Sequence, residues 1–280
     1  MLRILWNSKS GMTAQQEKLD SISNNIANLN TTAYKKTDVS FRDMVYEKLN
    51  RKGYPTSAKS NDDTNQTNQT NDAANNTPNN QNKIYQTGSG IIASEMTRDT
   101  SQGDVRETGV NTDLGIQGDG YFKVTAPGDN GNVYYTRDGS FNVQEGNLVD
   151  KNGYKLDITF DGGDTAKVAF TSDNFQVDEK GDIYLKQGND SKKVGRVNLY
   201  TTASDESFVS SGGNLYSLRD GADVKASTDY RIKQGALEHS NVDMATEMTD
   251  MLVTTRTFQL NSKGISTADE MWGMVNNLRK

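Results

Sequence analysis

One histidine, His239, and no cysteine at all limit the chemistry that these 280 residues can perform. A Ser-His-Asp arrangement would have to use His239. That residue stands in LEHSNV beside an expected helix start, the place of a surface or capping residue rather than a base. With no thiol and one imidazole, a zinc site lacks its ligands. GIQGDG, residues 115–120, has neither the GxGxxG order nor a following helix, and reads as a turn leading into a strand. Asp129, Asn130 and Asn132 in GDNGN have the composition of a calcium loop, but no DxDxDG frame or closing Glu accompanies them. Carboxylates are abundant, yet no pair has a context that marks it for acid-base work. No catalytic, cofactor-binding or metal-ligating residue is assigned, and the chain reads as a non-enzyme.

What remains is unusual helical chemistry at the two ends. Leu5, Met12, Leu19 and Ile26 are seven apart, with Ser8, Gln15, Ile22 and Leu29 between them. This 3/4 spacing predicts a long amphipathic helix over about 3–30, ended by Asn30, Thr31 and Thr32. From Ser21 to Tyr34, 14 residues carry no charge and four are Asn, a residue that favours caps and turns. Near the other end, Met244, Met248, Met251, Thr255, Phe258, Ser262 and Ile265 repeat the spacing. A helix from about 243 to 278 follows, with Asp243 as its N-cap.

Between them the pattern changes. YFKVTA (121–126), VYYTRDGSFNV (133–143), GNLVDKNGYKLD (146–157), AKVAFTS (166–172), DIYLKQ (182–187) and RVNLYTT (196–202) read as strands. Asp138-Gly139, Asn152-Gly153 and Asp161-Gly162 are hairpin-type turn signals. The strands stand too close together for βαβ crossovers. The fold class expected is α+β: long N- and C-terminal helices forming a coiled-coil stalk, with an inserted antiparallel all-β domain. The expected divisions are 1–32 with 240–280 as the helical part, 33–95 as an extended linker with a flexible insert at 55–83, and 96–239 as the β domain. Within the insert, Asn, Gln and Thr supply 16 of residues 61–82, with no apolar face to offset ordering entropy.

Composition excludes further classes. The chain is 32% hydrophobic with net charge −6 and no basic stripe, so nucleic acid is not an expected partner. No 18-residue apolar run exists to span a membrane. MLRILWNSKSG lacks a long apolar region and a clear cleavage site, and reads as mature sequence. A composition so poor in apolar residues implies that some of the chain is extended, disordered or buried only against partners.

SGMTAQQEKLDSISNNIANLNTTAYKK (10–36) and GALEHSNVDMATEMTDMLVTTRTFQLNSKGISTADEMWGMVNNL (235–278) resemble the N- and C-terminal signatures of the bacterial flagellar axial family, the rod and hook proteins. DLGIQGDGYFKV and YTRDGSFNVQEGNLVDKNGYKL resemble that family's β region. The resemblance implies a structural subunit outside the cytoplasmic membrane, in the flagellar basal body. Its helices would pair and line a helical tube of identical chains, a drive shaft and export channel, with the β domain outside. The implied partners are other rod proteins, the hook protein and the flagellar type III export apparatus. Carried over by position, Leu19, Ile22, Ile26 and Leu29 form one side of the helix seam and Met248, Met251, Phe258 and Ile265 the other. Asn24, Asn25 and Asn28 match the signature's amides and make contacts between subunits. Tyr34 and Lys35 match the exit from the helix. Ala33 departs from the Gly common there, and a left-handed backbone is costly for Ala, which predicts a different local geometry. Two rival readings are a surface fibre protein, which would not need matched terminal helices, and a cell-wall hydrolase, which would need a carboxylate cluster in the β domain.

Overall fold

The computed structural model describes residues 2–44, 47–48, 86–87, 90–127, 132–160, 170–171, 174–187, 190–202 and 207–278. The Asn-rich stretch and Asp161-Gly162 lie outside them. The fold is α+β: helix α1, Leu2–Ala27, and helix α2, Met244–Leu278, enclose a succession of antiparallel strands. No described helix is long and apolar enough to cross a membrane.

α1 ends three residues before Asn30 for a local reason. The Asn28 side-chain amide donates to the Asn24 carbonyl at 2.9 Å, and Thr31 Oγ1 donates to Asn28 Oδ1 at 3.1 Å. Asn side chains thus compete with the ladder they sit in. Ala33 then adopts φ 56, the left-handed conformation that was not expected of Ala. Its N–H donates to the Glu238 carbonyl at 2.9 Å and its side chain is buried, so surrounding contacts hold a backbone state that costs an Ala about 1 kcal/mol. α2 starts as its capping residue predicts. Asp243 accepts from the Thr246 hydroxyl at 2.6 Å and the Ala245 N–H at 3.2 Å, and these bonds hold its carboxyl below the usual range.

The chain divides into two compact units. The first comprises Met1–Leu19, Val39–Glu95 and Val253–Lys280. Here the two helices approach at small residues: a Cβ on Gly11 would stand 2.8 Å from Asn261 Nδ2, and one on Gly264 3.0 Å from Ser8 Oγ. Rising numbers on α1 meet falling numbers on α2, so the helices run antiparallel.

The second unit, Asp20–Asp38 with Met96–Leu252, holds the β structure. Strand Tyr121–Thr125 is its centre. It pairs on one side with Val133–Thr136 and on the other, end to end, with Lys155–Leu156 and Leu199–Thr202. Alternation sends Phe122 and Val124 into a core with Leu114, Ile116, Leu148 and Ile183. Tyr121 points to the opposite face, against Tyr135, Phe208 and Tyr216. A four-stranded sheet includes the strand Asp182–Gln187, as DIYLKQ predicts. AKVAFTS falls mostly outside the described residues, and its Phe170 and Thr171 are not in a strand.

The turn signals divide. Gly153, at φ 84, closes the connection between Asn147–Val149 and Lys155–Leu156. Asp138-Gly139 makes no hairpin. Asp138 Oδ1 instead accepts the Ser140 N–H and hydroxyl at 3.1 and 2.7 Å. Gly139 lies so close to the next segment that a Cβ would fall 1.8 Å from the Leu114 carbonyl oxygen. The hairpin forms at Glu145 and Gly146, both with positive φ, joining Asn142–Gln144 to Asn147–Val149. Gly139→Ala is expected to lose about 2 kcal/mol of stability in urea unfolding, because backbone rather than a side chain must move. Gly273→Ala, on α2 with nothing within 4 Å, is expected to be neutral or stabilising.

Candidate functional site

The described residues contain no cluster of His, Asp or Glu that could hold a metal. The concentration of buried polar chemistry lies elsewhere, where the segment after α1, the strand before α2 and the β domain meet. Lys35 is 2% exposed and Glu238 is equally buried. Lys35 Nζ donates to Glu238 Oε1 and to the Ser101 carbonyl, both at 2.7 Å. Arg137 Nε donates to Glu238 Oε2 at 2.6 Å, and its other nitrogen to the Gly118 carbonyl at 2.7 Å. The Gly103 N–H completes the Glu238 carboxylate at 2.9 Å. Gly103 is itself required, since a Cβ there would fall 2.1 Å from the His239 carbonyl oxygen. Two cations share one carboxylate in a dry site. Burial is the main influence lowering the Lys35 pKa and the Arg137 charge the next, with Glu238 opposing both.

A second network ties α1 to α2. Asn25, 1% exposed, donates to the Thr37 carbonyl at 2.9 Å and to Glu247 Oε2 at 3.2 Å, and its Oδ1 accepts the Thr37 N–H at 3.0 Å. Tyr34 Oη donates to the same oxygen at 3.2 Å. Lys36 Nζ stands 2.7 Å from Glu247 Oε1, and that bond raises the Lys36 pKa. Asn241 closes the set by accepting the Lys36 N–H at 2.7 Å and donating to the Asp99 and Ser101 carbonyls. Asn214 Nδ2 donates to the Thr32 carbonyl at 2.7 Å.

The expected site residues are distributed as follows. Tyr34, Lys35 and Asn25 meet in these networks. Asn24 is exposed and Asn28 half-buried. Ile22 is buried, while Leu5, Met12, Leu19, Ile26 and Leu29 are half-buried. On α2, Met244 and Met248 are exposed, and Met251, Phe258 and Ile265 half-buried. The most buried stripe on α1 is Gly11, Ala14, Gln15, Ser21, Ile22 and Asn25, and on α2 it is Glu247, Thr254 and Ala268. Both inner stripes are therefore mainly small or polar, beside the apolar residues that spacing singles out. Sequence reading missed Glu238, Arg137, Glu247 and Asn241. The available signal was the seven-residue recurrence of Glu247, Thr254, Asn261 and Ala268, short side chains with one carboxylate at a spacing usually read for large apolar groups.

These bonds join two segments that are far apart in sequence, and the same two segments carry family matches. The family described as flagella basal body rod protein matches residues 5–35, and that described as flagellar basal body rod FlgEFG protein C-terminal matches residues 233–278. A curated flagellar basal-body rod protein FlgG of Borreliella burgdorferi is 33% identical, with 100% of both chains covered. The FlgG of Bacillus subtilis is 34% identical, again over 100% of both. A flagellar hook-basal body complex protein, FlhP, from the same organism is 29% identical over 100% of each. The chain belongs to the flagellar basal-body rod protein family. It is a structural protein of the bacterial flagellar basal body and not an enzyme, and within the family it is similar to the rod protein FlgG.

Two predictions follow from the charges. Glu238→Gln leaves Lys35 and Arg137 buried against a neutral amide and is expected to lose about 3–5 kcal/mol in denaturant unfolding. The second concerns Asp113 and Asp150, whose pKa values burial raises, with Asp138 as a further like charge. A carboxylate with a raised folded pKa loses folding stability as pH climbs past its ordinary value of 3.8. Asp113→Asn keeps an acceptor for the Thr108 hydroxyl and removes that ionisation. Its melting temperature should exceed the parent's by more at pH 7 than at pH 4.

Proposed function

We propose that this chain polymerises with copies of itself into a helical tube that transmits torque through the basal body and encloses part of the export path. The observation that carries this is the uncovered apolar side of α2. Leu252, Val253 and Leu260 are 67, 60 and 69% exposed, and Trp272, Met274, Val275 and Leu278 are also exposed. A 35-residue helix whose inner stripe is small and polar, and whose large apolar groups face out, is unfavourable in water as a single chain. Neighbouring copies would remove that surface from water at about 25 cal/mol per Å². Identical contacts that do not close on themselves generate a filament.

In this reading the two helices form an antiparallel coiled-coil stalk in the inner wall, with small residues at their own contact. Leu5, Met12, Leu19, Ile26 and Leu29 of α1, and Met244, Met248, Met251, Phe258 and Ile265 of α2, complete the packing between chains. Asn24 and Asn28 supply amides that donate and accept between copies without burying charge. The buried joint around Glu238 carries load from the stalk to the β domain. Other rod proteins and the hook protein continue the shaft at its ends, and subunits reach the growing tip unfolded through the type III export apparatus. The relatives' names, which place them in the basal-body rod or hook-basal body complex, support this setting.

Electron microscopy and sedimentation of the purified chain test the reading. The parent should form tubes above a critical concentration. The double variant Leu252→Glu, Leu260→Glu should keep the circular dichroism and melting of the monomer and form no tubes. Tubes from the double variant at the parent's concentration would overturn it.

A further inference from the structure

Charge is divided unevenly between the two units. Met1–Leu19, Val39–Glu95 and Val253–Lys280, the first unit, hold 13 Lys and Arg against nine Asp and Glu, while the second unit holds 18 against 28. The first is therefore +4 and the second −10, within a chain of net charge −6. In the first unit the excess belongs to the helices. Residues 1–19 and 253–280 hold seven bases, with Lys9, Arg256 and Lys263 exposed among them, against Glu17, Asp269 and Glu270.

The chain's only two tryptophans lie on the same helical segments, and both are exposed, Trp6 at 63% and Trp272 at 47%. Ser8 faces Gly264 and Gly11 faces Asn261. Continued along both helices, that register sets Trp6 level with Ser266, and Trp272 stands about 9 Å further along the axis. Near Trp6, Ile4, Met44 and Ile92 are 45, 39 and 53% exposed, and Met44 and Ile92 line one groove with it. Lys9 also lines this groove, with Nζ 5.4 Å from the Trp6 ring centre, and so does Glu17, about three turns from Trp6. At the other tryptophan, Met274, Val275 and Leu278 are 60, 51 and 86% exposed. At about 100° per residue, these four side chains spread over roughly half of the helix circumference.

Exposed tryptophan beside exposed bases, on helices with an apolar side, is the composition of a helix that lies in a lipid interface. Indoles settle at headgroup level, apolar neighbours sink below them, and lysine and arginine stems reach back to the lipid phosphates. No described helix is long and apolar enough to cross a membrane, so the contact is with its surface. Charge selects the occupant. A second copy brings the same excess of base on its own helices, whereas an anionic bilayer has the opposite sign and follows any contour. We propose that the helices of the first unit, in the unassembled chain, dock on the surface of a bilayer with anionic headgroups, with Trp6 and Trp272 at headgroup level. This inference does not rest on the polymer proposed above.

Since both indoles belong to the surface, their fluorescence reports on it without a label. The full chain, at a concentration where sedimentation shows a monomer, is mixed with vesicles of phosphatidylcholine, or of equal parts phosphatidylcholine and phosphatidylglycerol. Binding to the anionic vesicles is expected to be at least about tenfold tighter, to weaken at least about tenfold from low to high salt, and to shift emission to the blue. Trp6→Phe and Trp272→Phe each leave one indole, and that indole should shift in both variants. Lys9→Glu with Lys263→Glu, at exposed positions, should weaken binding at least about tenfold without changing the melting temperature. Lys155→Glu with Lys225→Glu, the same change of charge in the second unit, should leave binding as it is. No binding to anionic vesicles, equal binding to both kinds, an indole that stays unshifted, or equal loss from the two double variants overturns the proposal. So does a chain that is never monomeric and whose emission is already blue-shifted without lipid, since a second copy then covers the surface.

Discussion

Everything at the junction of helices and strands depends on one carboxylate that two cations share out of water. Glu238 would be strongly destabilising if buried alone, and so would Lys35 or Arg137. Together they satisfy one another, and the Ser101, Gly103 and Gly118 backbones supply the remaining bonds. Removing Glu238 leaves two buried cations facing each other, while removing either cation takes a donor from the Glu238 carboxylate. The three side chains come from the exit of α1, the middle of the β domain and the strand leading to α2. The joint therefore closes only when three distant parts of the chain are in place.

The terminal helices extend the same logic. Where they meet, Gly11 faces Asn261 and Gly264 faces Ser8, side chains short enough for close approach, with Asn25 and Glu247 as a polar clasp. Their large apolar groups are left half-buried or exposed. A chain that consumed this surface internally would be a better monomer and a poorer filament subunit. The low hydrophobic fraction, 32%, is consistent with a core that is completed between molecules.

Much of this was readable from the residues. Both helices, the Asp243 cap and the antiparallel β insertion follow from periodicity and turn chemistry. The inner stripe did not, because a heptad search weights large apolar side chains, and Gly11, Ser21, Thr254 and Ala268 fall outside it. The expectation for Ala33 failed because intrinsic preference was set against tertiary contacts. The bond from its N–H to Glu238 and its buried methyl hold φ at 56 despite the cost. Asp138-Gly139 misled because Gly served close packing against Leu114 rather than a reversal of the chain. Asn24, Asn25 and Asn28 were grouped together as contacts between subunits. Asn25 instead turns inward to Thr37 and Glu247, so neighbouring amides of one type have different surroundings.

The central claim is that the joint is complete within one chain while the outer face of α2 is completed by others. Hydrogen exchange followed by mass spectrometry, on monomer and polymer of the same preparation, tests it most directly. The account predicts that amides of residues 33–37 and 236–247 are already protected in the monomer and change little on assembly. Those of 252–278 should exchange rapidly in the monomer and slow at least about a hundredfold in the polymer. Equal, strong protection of 252–278 in both states would contradict it.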